Sequence, residues 1–387
     1  MIGHGISMPV TYDRQFIVVS HIYTTGPAFQ LTDYLRQRAR EVIFIGHPFS
    51  YATDTRSFLR IYRQGVLVEE RKFWRWRGPD LFFYLKDVLL TFWWVMPRAH
   101  QAVFVGIDNL NACTGYLLQR LVLVQTLIFY TIDYIPQRFA NFWLNRVYHW
   151  LDRTAIKKSH RVWNLSPVMV DEREKRGVAI QYRTKQITVP IGTVMGDINN
   201  VKVEKNSHTV VFLGHLRPGQ GVDRLLEAIK LVEKVVPSVR TIIIGGGSAE
   251  ESLRTMAETL GLSQVHFTGL VEQFSEVLRL LGQASIAVAP YVDDESTYTR
   301  FTDPGKPKDY LACGLPVVIT RVPHVAQEIA DRRCGLVVDD TPEALADAII
   351  RLLSDNQLRQ EFRTNALRMA ADYTWDQVFD EAFSRTL

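Results

Sequence analysis

Six short runs of β-branched and aliphatic residues recur through the second half of the chain, at 209–213, 241–244, 265–267, 286–289, 317–319 and 336–338, with helix-period segments between them. A run that is apolar at every position is buried on both faces, and buried parallel neighbours need helical crossovers. The alternation therefore dictates an α/β fold built on a doubly wound parallel sheet. The first half repeats the pattern more loosely, with strands at 16–20, 41–46, 102–106, 127–131 and 161–164 and a last strand and turn at 187–192. At 387 residues the chain is long enough for two cores. We expect an N-terminal domain at 1–195, a polar linker at 196–207 and a C-terminal domain at 208–370, the two Rossmann-like sheets facing a cleft. Residues 371–387 read as a capped helix packing back toward the first domain.

With 47% hydrophobic and 22% charged side chains, disorder is not the default. A net charge of +4 is too weak to imply nucleic acid without a concentrated basic patch, and no nucleic-acid partner is expected. The three cysteines, Cys113, Cys313 and Cys334, form no C-x-x-C or Cys/His cluster, so neither a disulfide framework nor a metal site is indicated. A reducing cytoplasm fits. Residues 1–13 lack the basic-then-apolar pattern of a signal peptide, and the apolar stretch 81–96 is short and interrupted by Lys86 and Asp87. Membrane contact, if present, is expected to be peripheral.

One segment bears on that contact. Arg71, Lys72, Trp74, Arg75, Trp76 and Arg77 precede the aromatic-rich stretch that ends in Trp93 and Trp94. Aromatic rings settle at headgroup level while cations meet lipid phosphates, so the stretch from Arg71 to Trp94 suits a membrane surface. A helix packed on the sheet with an exposed basic end reads equally well.

Ligands collect at the carboxyl ends of strands in open parallel sheets. In the first half this brings forward Gly26, His47, Asp108, Asp133 and Tyr134. In the second half four loops follow strands. The first holds Gly214, His215, Arg217, Gly219 and Gln220, the second Gly246 and Gly247, the third Leu270, and the fourth Asp303, Pro304, Gly305, Lys306 and Asp309. Glycine loops let backbone N–H groups face an anion, Lys306 adds a cation, and Asp309 can accept from hydroxyls. No G-x-G-x-x-G with a following acid at the usual spacing occurs, nor a G-x-x-x-x-G-K-[ST]. Dinucleotide oxidoreduction and P-loop hydrolysis are thereby disfavoured.

The motifs G-H-L-R-P-G-Q-G at 214–221, G-G-G at 245–247 and D-P-G-K-P-K-D-Y-L-A-C-G-L-P-V-V at 303–318 resemble those of retaining glycosyltransferases of family 4, across 210–383. The resemblance implies the two-domain GT-B fold and metal-independent sugar transfer from a nucleotide-diphosphate sugar, with retention and no further cofactor. It also implies that Asp309 reads ribose, that backbone near Leu270 reads the base, and that Asp133 stands where many relatives have a histidine facing the donor sugar. The acceptor, a glycan or lipid-linked precursor, would meet Gly26, His47, Asp108 and Tyr134.

The chain departs from the family pattern in the phosphate pocket. His215 and Gln220 stand where relatives carry Arg and Lys, Phe301 replaces the first Glu, and Asp309 is a shortened second acid. Arg217 and Lys306 are expected to supply the missing charge. The same departures leave room for a non-catalytic nucleotide-sugar-binding protein, and the fold leaves room for a sugar-nucleotide epimerase.

Overall fold

The computed structural model describes residues 12–22, 26–73, 75, 80–195, 208–293 and 298–387. Trp74, Trp76, Arg77 and the linker expected at 196–207 lie outside them. The chain forms two compact units, one of residues 1–190 with Val378–Leu387 and the other Ile191–Gln377.

The first unit is built on an eight-stranded sheet in the order β4-β3-β2-β1-β5-β6-β7-β8. Six strands match the sequence pattern: β1 (Tyr12–Ile22), β2 (Ala39–Pro48), β5 (Ala102–Ile107), β6 (Val124–Thr131), β7 (Arg161–Asn164) and β8 (Gln186–Thr188), all pairing in parallel. The pattern missed β3 (Phe58–Arg63) and β4 (Val66–Lys72), an antiparallel edge hairpin. Its two-residue turn, Gln64 and Gly65, has φ of 49° and 82°, the left-handed pair that matches strand twist. Almost every residue of β4 is exposed, so no alternation marked it, and Arg71 and Lys72 prove to be strand residues.

The two faces of β1 separate the helices. Ile17 and Val19 point into a core with Leu90, Trp94 and Val95 of α2 (Asp80–Val95) and Leu118 of α3 (Asn109–Arg120). On the other face Phe16 meets Phe383 of α13 (Trp375–Ser384), whose ring also stacks on Tyr34 of α1 (Pro27–Arg36). The amphipathic pattern after Asp133 becomes α4 only at Phe142 (Phe142–Lys158), where the Asn141 side chain accepts from the Trp143 and Leu144 amides.

The second unit is a six-stranded, all-parallel sheet, β11-β10-β9-β12-β13-β14, with β9 (Thr209–Leu213), β10 (Arg240–Ile244), β11 (Val265–Gly269), β12 (Ile286–Ala289), β13 (Val317–Thr320) and β14 (Gly335–Val338). Aliphatic residues of β9, β10, β12 and β13 are buried on both faces, as the continuous runs required. Each unit is thus a Rossmann-like doubly wound sheet.

Candidate functional site

In the second unit the strand-following loops converge through the backbone. Gly214 N–H donates to Ile244 (2.9 Å), Leu216 N–H to Gly246 (3.0 Å) and Gly245 N–H to Gly269 (3.0 Å). A side chain on Gly245, at φ 132°, would collide with the Gly214 carbonyl, so this glycine is required by loop-on-loop packing. Leu270, beyond the third loop, is exposed.

The fourth loop divides its charges between two sides of the short helix α9 (Lys306–Ala312). Lys308, fully buried, forms an ion pair with Asp303 and donates to the Ile191 carbonyl (2.8 Å), while Asp303 accepts from the Ile191 amide (2.7 Å). Burial works against both charges and their contact opposes it. Asp303 is therefore occupied as a clamp on the 191–193 segment. Beneath them Tyr310 accepts from the Leu213 amide (2.7 Å), fixing the helix to the end of β9.

Asp309 turns to the same 191–193 segment, whereas Lys306 points to the first glycine loop. Lys306 Nζ donates to Gln220 Oε1 (2.9 Å), and it forms no salt bridge among the described residues. Lys306 thus brings an ammonium from the fourth loop to Gln220 of the first. A Cβ at Gly214 would run into this ammonium, which explains the glycine. Burial, then the nearby Arg217, pushes Lys306 down to about 8. His215 is exposed and also lowered, by desolvation and by Lys306 and Arg217. Asp309 accepts from the Thr193 hydroxyl (2.7 Å), and burial raises it to about 6. Pro304 and Gly305 form the half-buried entry to the helix, and Gly219 is a left-handed turn residue at φ 83°.

In the first unit a cavity of about 250 Å³ lies among the carboxyl ends of β1 and β6 and helices α2, α3 and α4. Its polar lining includes His21, Asp108, Asp133 and Arg138; Tyr84, Phe139, Leu144, Val147 and Tyr148 supply apolar walls. Asp108 precedes α3 at φ 73°, a left-handed conformation costly for a non-glycine residue, yet its side chain does not cap the helix. Burial, then the charge of Asp133, raises it to about 6. Asp133 pairs with Arg138 at 2.7 Å.

The other first-half candidates fall elsewhere. His47 is fully buried, Nδ1 beside Ser57 (3.0 Å) and Nε2 beside Thr91 (2.9 Å), with no ring nitrogen left for a ligand. Tyr134 is buried under the Arg173 guanidinium, 4.6 Å from its ring centroid. Gly26 stands at the start of α1 with open space around its Cα. Sequence reasoning passed over His21, whose Nε2 donates to the Asp87 carboxylate (3.3 Å) and whose Nδ1 accepts from the Asn111 amide (3.2 Å) at the cavity wall. Its place near the carboxyl end of a buried strand was the available signal.

Residues 207–355 match the family model of the Glycosyl transferases group 1. A D-inositol 3-phosphate glycosyltransferase of Jonesia denitrificans is 30% identical over 180 residues, 44% of this chain and 40% of that protein. A phosphatidyl-myo-inositol mannosyltransferase of Mycobacterium leprae is 29% identical over 172 residues, 44% of each chain. The matched stretch thus spans less than half the length of these relatives. Among solved structures, sucrose-phosphate synthase from Thermosynechococcus elongatus superposes with TM-score 0.70 at 15% identity, covering 96% of this chain and 98% of that one. WaaG, a glycosyltransferase involved in lipopolysaccharide biosynthesis, gives 0.64 at 15% identity over 96% and 99%. The fold is that of the GT-B glycosyltransferases.

Proposed function

We propose that the chain is a retaining, metal-independent glycosyltransferase that moves a sugar from a nucleotide-diphosphate sugar to a lipid-linked or cell-surface glycan acceptor. The observation that carries this reading is Lys306: a half-buried ammonium beside a glycine loop, hydrogen-bonded to a neutral partner and with Asp309 near but not paired to it, has donors to offer a further anion. The donor's diphosphate supplies one. The bond from the anomeric carbon to the phosphate oxygen breaks, the electron pair stays on the diphosphate, and an acceptor hydroxyl forms the new bond on the same face. The hydroxyl proton goes to the departing phosphate oxygen. Lys306, Arg217 and the amides of the 214–221 loop stabilise that oxygen as charge develops. His215, Gln220, Gly246 and Gly247 shape the phosphate cradle, Asp309 accepts from ribose hydroxyls, and backbone at Leu270 reads the base.

The acceptor binds the cavity of the first unit, where Asp108 and Asp133 orient its hydroxyls. Similarity to a phosphatidyl-myo-inositol mannosyltransferase supports a lipid-borne acceptor, and we place the enzyme peripherally on the cytoplasmic face of a membrane. The departures at His215, Gln220 and Phe301 favour one rival, a binding protein without transfer. Thermal melts against a panel of nucleotide sugars test the donor site: a ligand at 100 times its dissociation constant stabilises by about 2.7 kcal/mol. No shift with any nucleotide sugar or free nucleotide would sink the proposal. A shift without turnover on any offered acceptor would favour the rival.

A further inference from the structure

We infer that the outward face of the α2–α3–α4 layer is a docking surface for an anionic lipid membrane. The inference deepens the lipid-acceptor reading above, but it stands on a different part of the chain from the donor site. Helix α3 packs against α2 on one side and α4 on the other, and their inner faces cover the sheet.

Helix α2 is apolar on its outward face as well as its inner one, with its polar Asp87 and Thr91 side chains buried and that of Lys86 9% exposed. Its inner face buries Phe83, Leu90, Trp94 and Val95, while Phe82, Leu85, Leu89, Trp93 and Met96 stand exposed at spacings of three and four, a continuous outward stripe with Trp93 61% exposed. A helix apolar on its solvent face as well as its core face calls for a further cover on the first. Helix α4 repeats the feature: Phe142, Trp143, Val147 and Trp150 are exposed, Trp143 by 70%. Leu117 of α3 and Leu121, just past its end, are exposed as well. The 191–377 unit exposes far less; its exposed large apolar residues among the described ones are Val194, Met195, Val235, Leu270 and Phe274. Apolar exposure concentrated this way marks an interaction face.

Charge identifies the occupant. Arg120, Arg146, Lys157 and Lys158 are exposed on α3 and α4. Of the carboxylates whose side chains are described on the three helices, Asp87 and Asp152 are both buried, Asp152 against Arg173 and Asp87 against Lys86 and two histidines. An apolar face with cations and no exposed described carboxylate matches an anionic headgroup layer. It is not self-complementary, because a two-fold contact with a second copy would set those cations against one another. Among the described residues no helix is long and apolar enough to cross a membrane, so the layer lies on the surface. Val147 belongs to both the exposed ridge and the cavity wall, as does Leu144. Docking therefore brings the cavity of Asp108 to headgroup depth, where a lipid-borne hydroxyl would enter.

Co-sedimentation with phosphatidylglycerol/phosphatidylcholine vesicles tests this on the full chain. Wild type should pellet with mixed vesicles and far less with phosphatidylcholine alone. At roughly fivefold per cation, Arg146→Gln/Lys157→Gln/Lys158→Gln should lower partitioning about a hundredfold, and Leu89→Ser/Trp93→Ser/Trp150→Ser should abolish it. Both variants alter exposed side chains, and an unchanged thermal midpoint with a retained nucleotide-induced shift confirms that fold and donor site are intact. Failure of wild type to pellet, or equal pelleting of all three proteins, overturns the inference without touching the donor reading. So does loss of pelleting only with Arg71→Gln/Arg75→Gln, or a dimer in sedimentation velocity that Leu89→Ser/Trp93→Ser disperses.

Discussion

Replacing Lys306 with Met tests the phosphate pocket through two opposed effects. In the ligand-free protein, burial lowers this lysine from its ordinary 10.5 to about 8. At 1.36 kcal/mol per decade, holding the charge costs at most roughly 3 kcal/mol, reduced by whatever water screens a half-buried side chain. Below pH 8 the folded and unfolded chains both carry the proton, so the cost is felt in full. Between pH 8 and 10.5 the unfolded chain keeps a proton that the folded chain has lost, and stability rises with pH. Lys306→Met should therefore be the more stable protein at pH 7, with the advantage fading toward pH 10.5. Nucleotide binding should move the other way. A charge-assisted hydrogen bond is worth roughly 1.5–3 kcal/mol, so nucleoside diphosphate affinity should fall about 10- to 150-fold. Calorimetry at pH 8.5 in two buffers of different ionisation enthalpy should reveal proton uptake on binding by wild type and none through this residue in the variant. Equal affinities, or equal proton uptake, would refute the assignment of Lys306 as the phosphate cation.

Three further substitutions separate the roles of neighbouring residues. Asp108→Asn should stabilise the protein above about pH 6, because burial raises this carboxyl to about 6 and the wild type loses stability as pH climbs from the unfolded value to that point; in melts below pH 4 the charge-dependent gain should vanish. Gly214→Ala should lower the melting temperature modestly, since its Cβ meets the end of the Lys306 side chain and, at 3.1 Å, the Phe212 ring, and should weaken nucleoside diphosphate binding by calorimetry. Asp303→Ala should cost roughly 3–5 kcal/mol in urea unfolding by stranding the buried Lys308 charge. A mild effect there would mean that the clamp on 191–193 is dispensable.

The sequence by itself determined the parallel strands of both sheets and the location of the loops that follow them. Continuous aliphatic runs such as 241–244 and 317–319 can be buried only as inner parallel strands, and their carboxyl ends are where loops gather whatever the details. It did not reveal β3 and β4, because an exposed edge hairpin carries no hydrophobic alternation and its signal lay in two turn residues, Gln64 and Gly65. Nor could local pattern sort the charges of the 303–309 stretch. Asp303 answers to Ile191, Asp309 to Thr193 and Lys306 to Gln220, partners about ninety to a hundred and twenty residues away. His47 and Asp108 both end strands, yet packing buried the first among hydroxyls and left the second in a strained turn facing a cavity. Periodicity fixes which backbone a segment adopts, since that is set by neighbours three or four residues away. Whether a charge is clamped, stranded or exposed, and which apolar side of a helix such as α2 is left uncovered, depends on what the fold brings against it, and only the tertiary structure decided that.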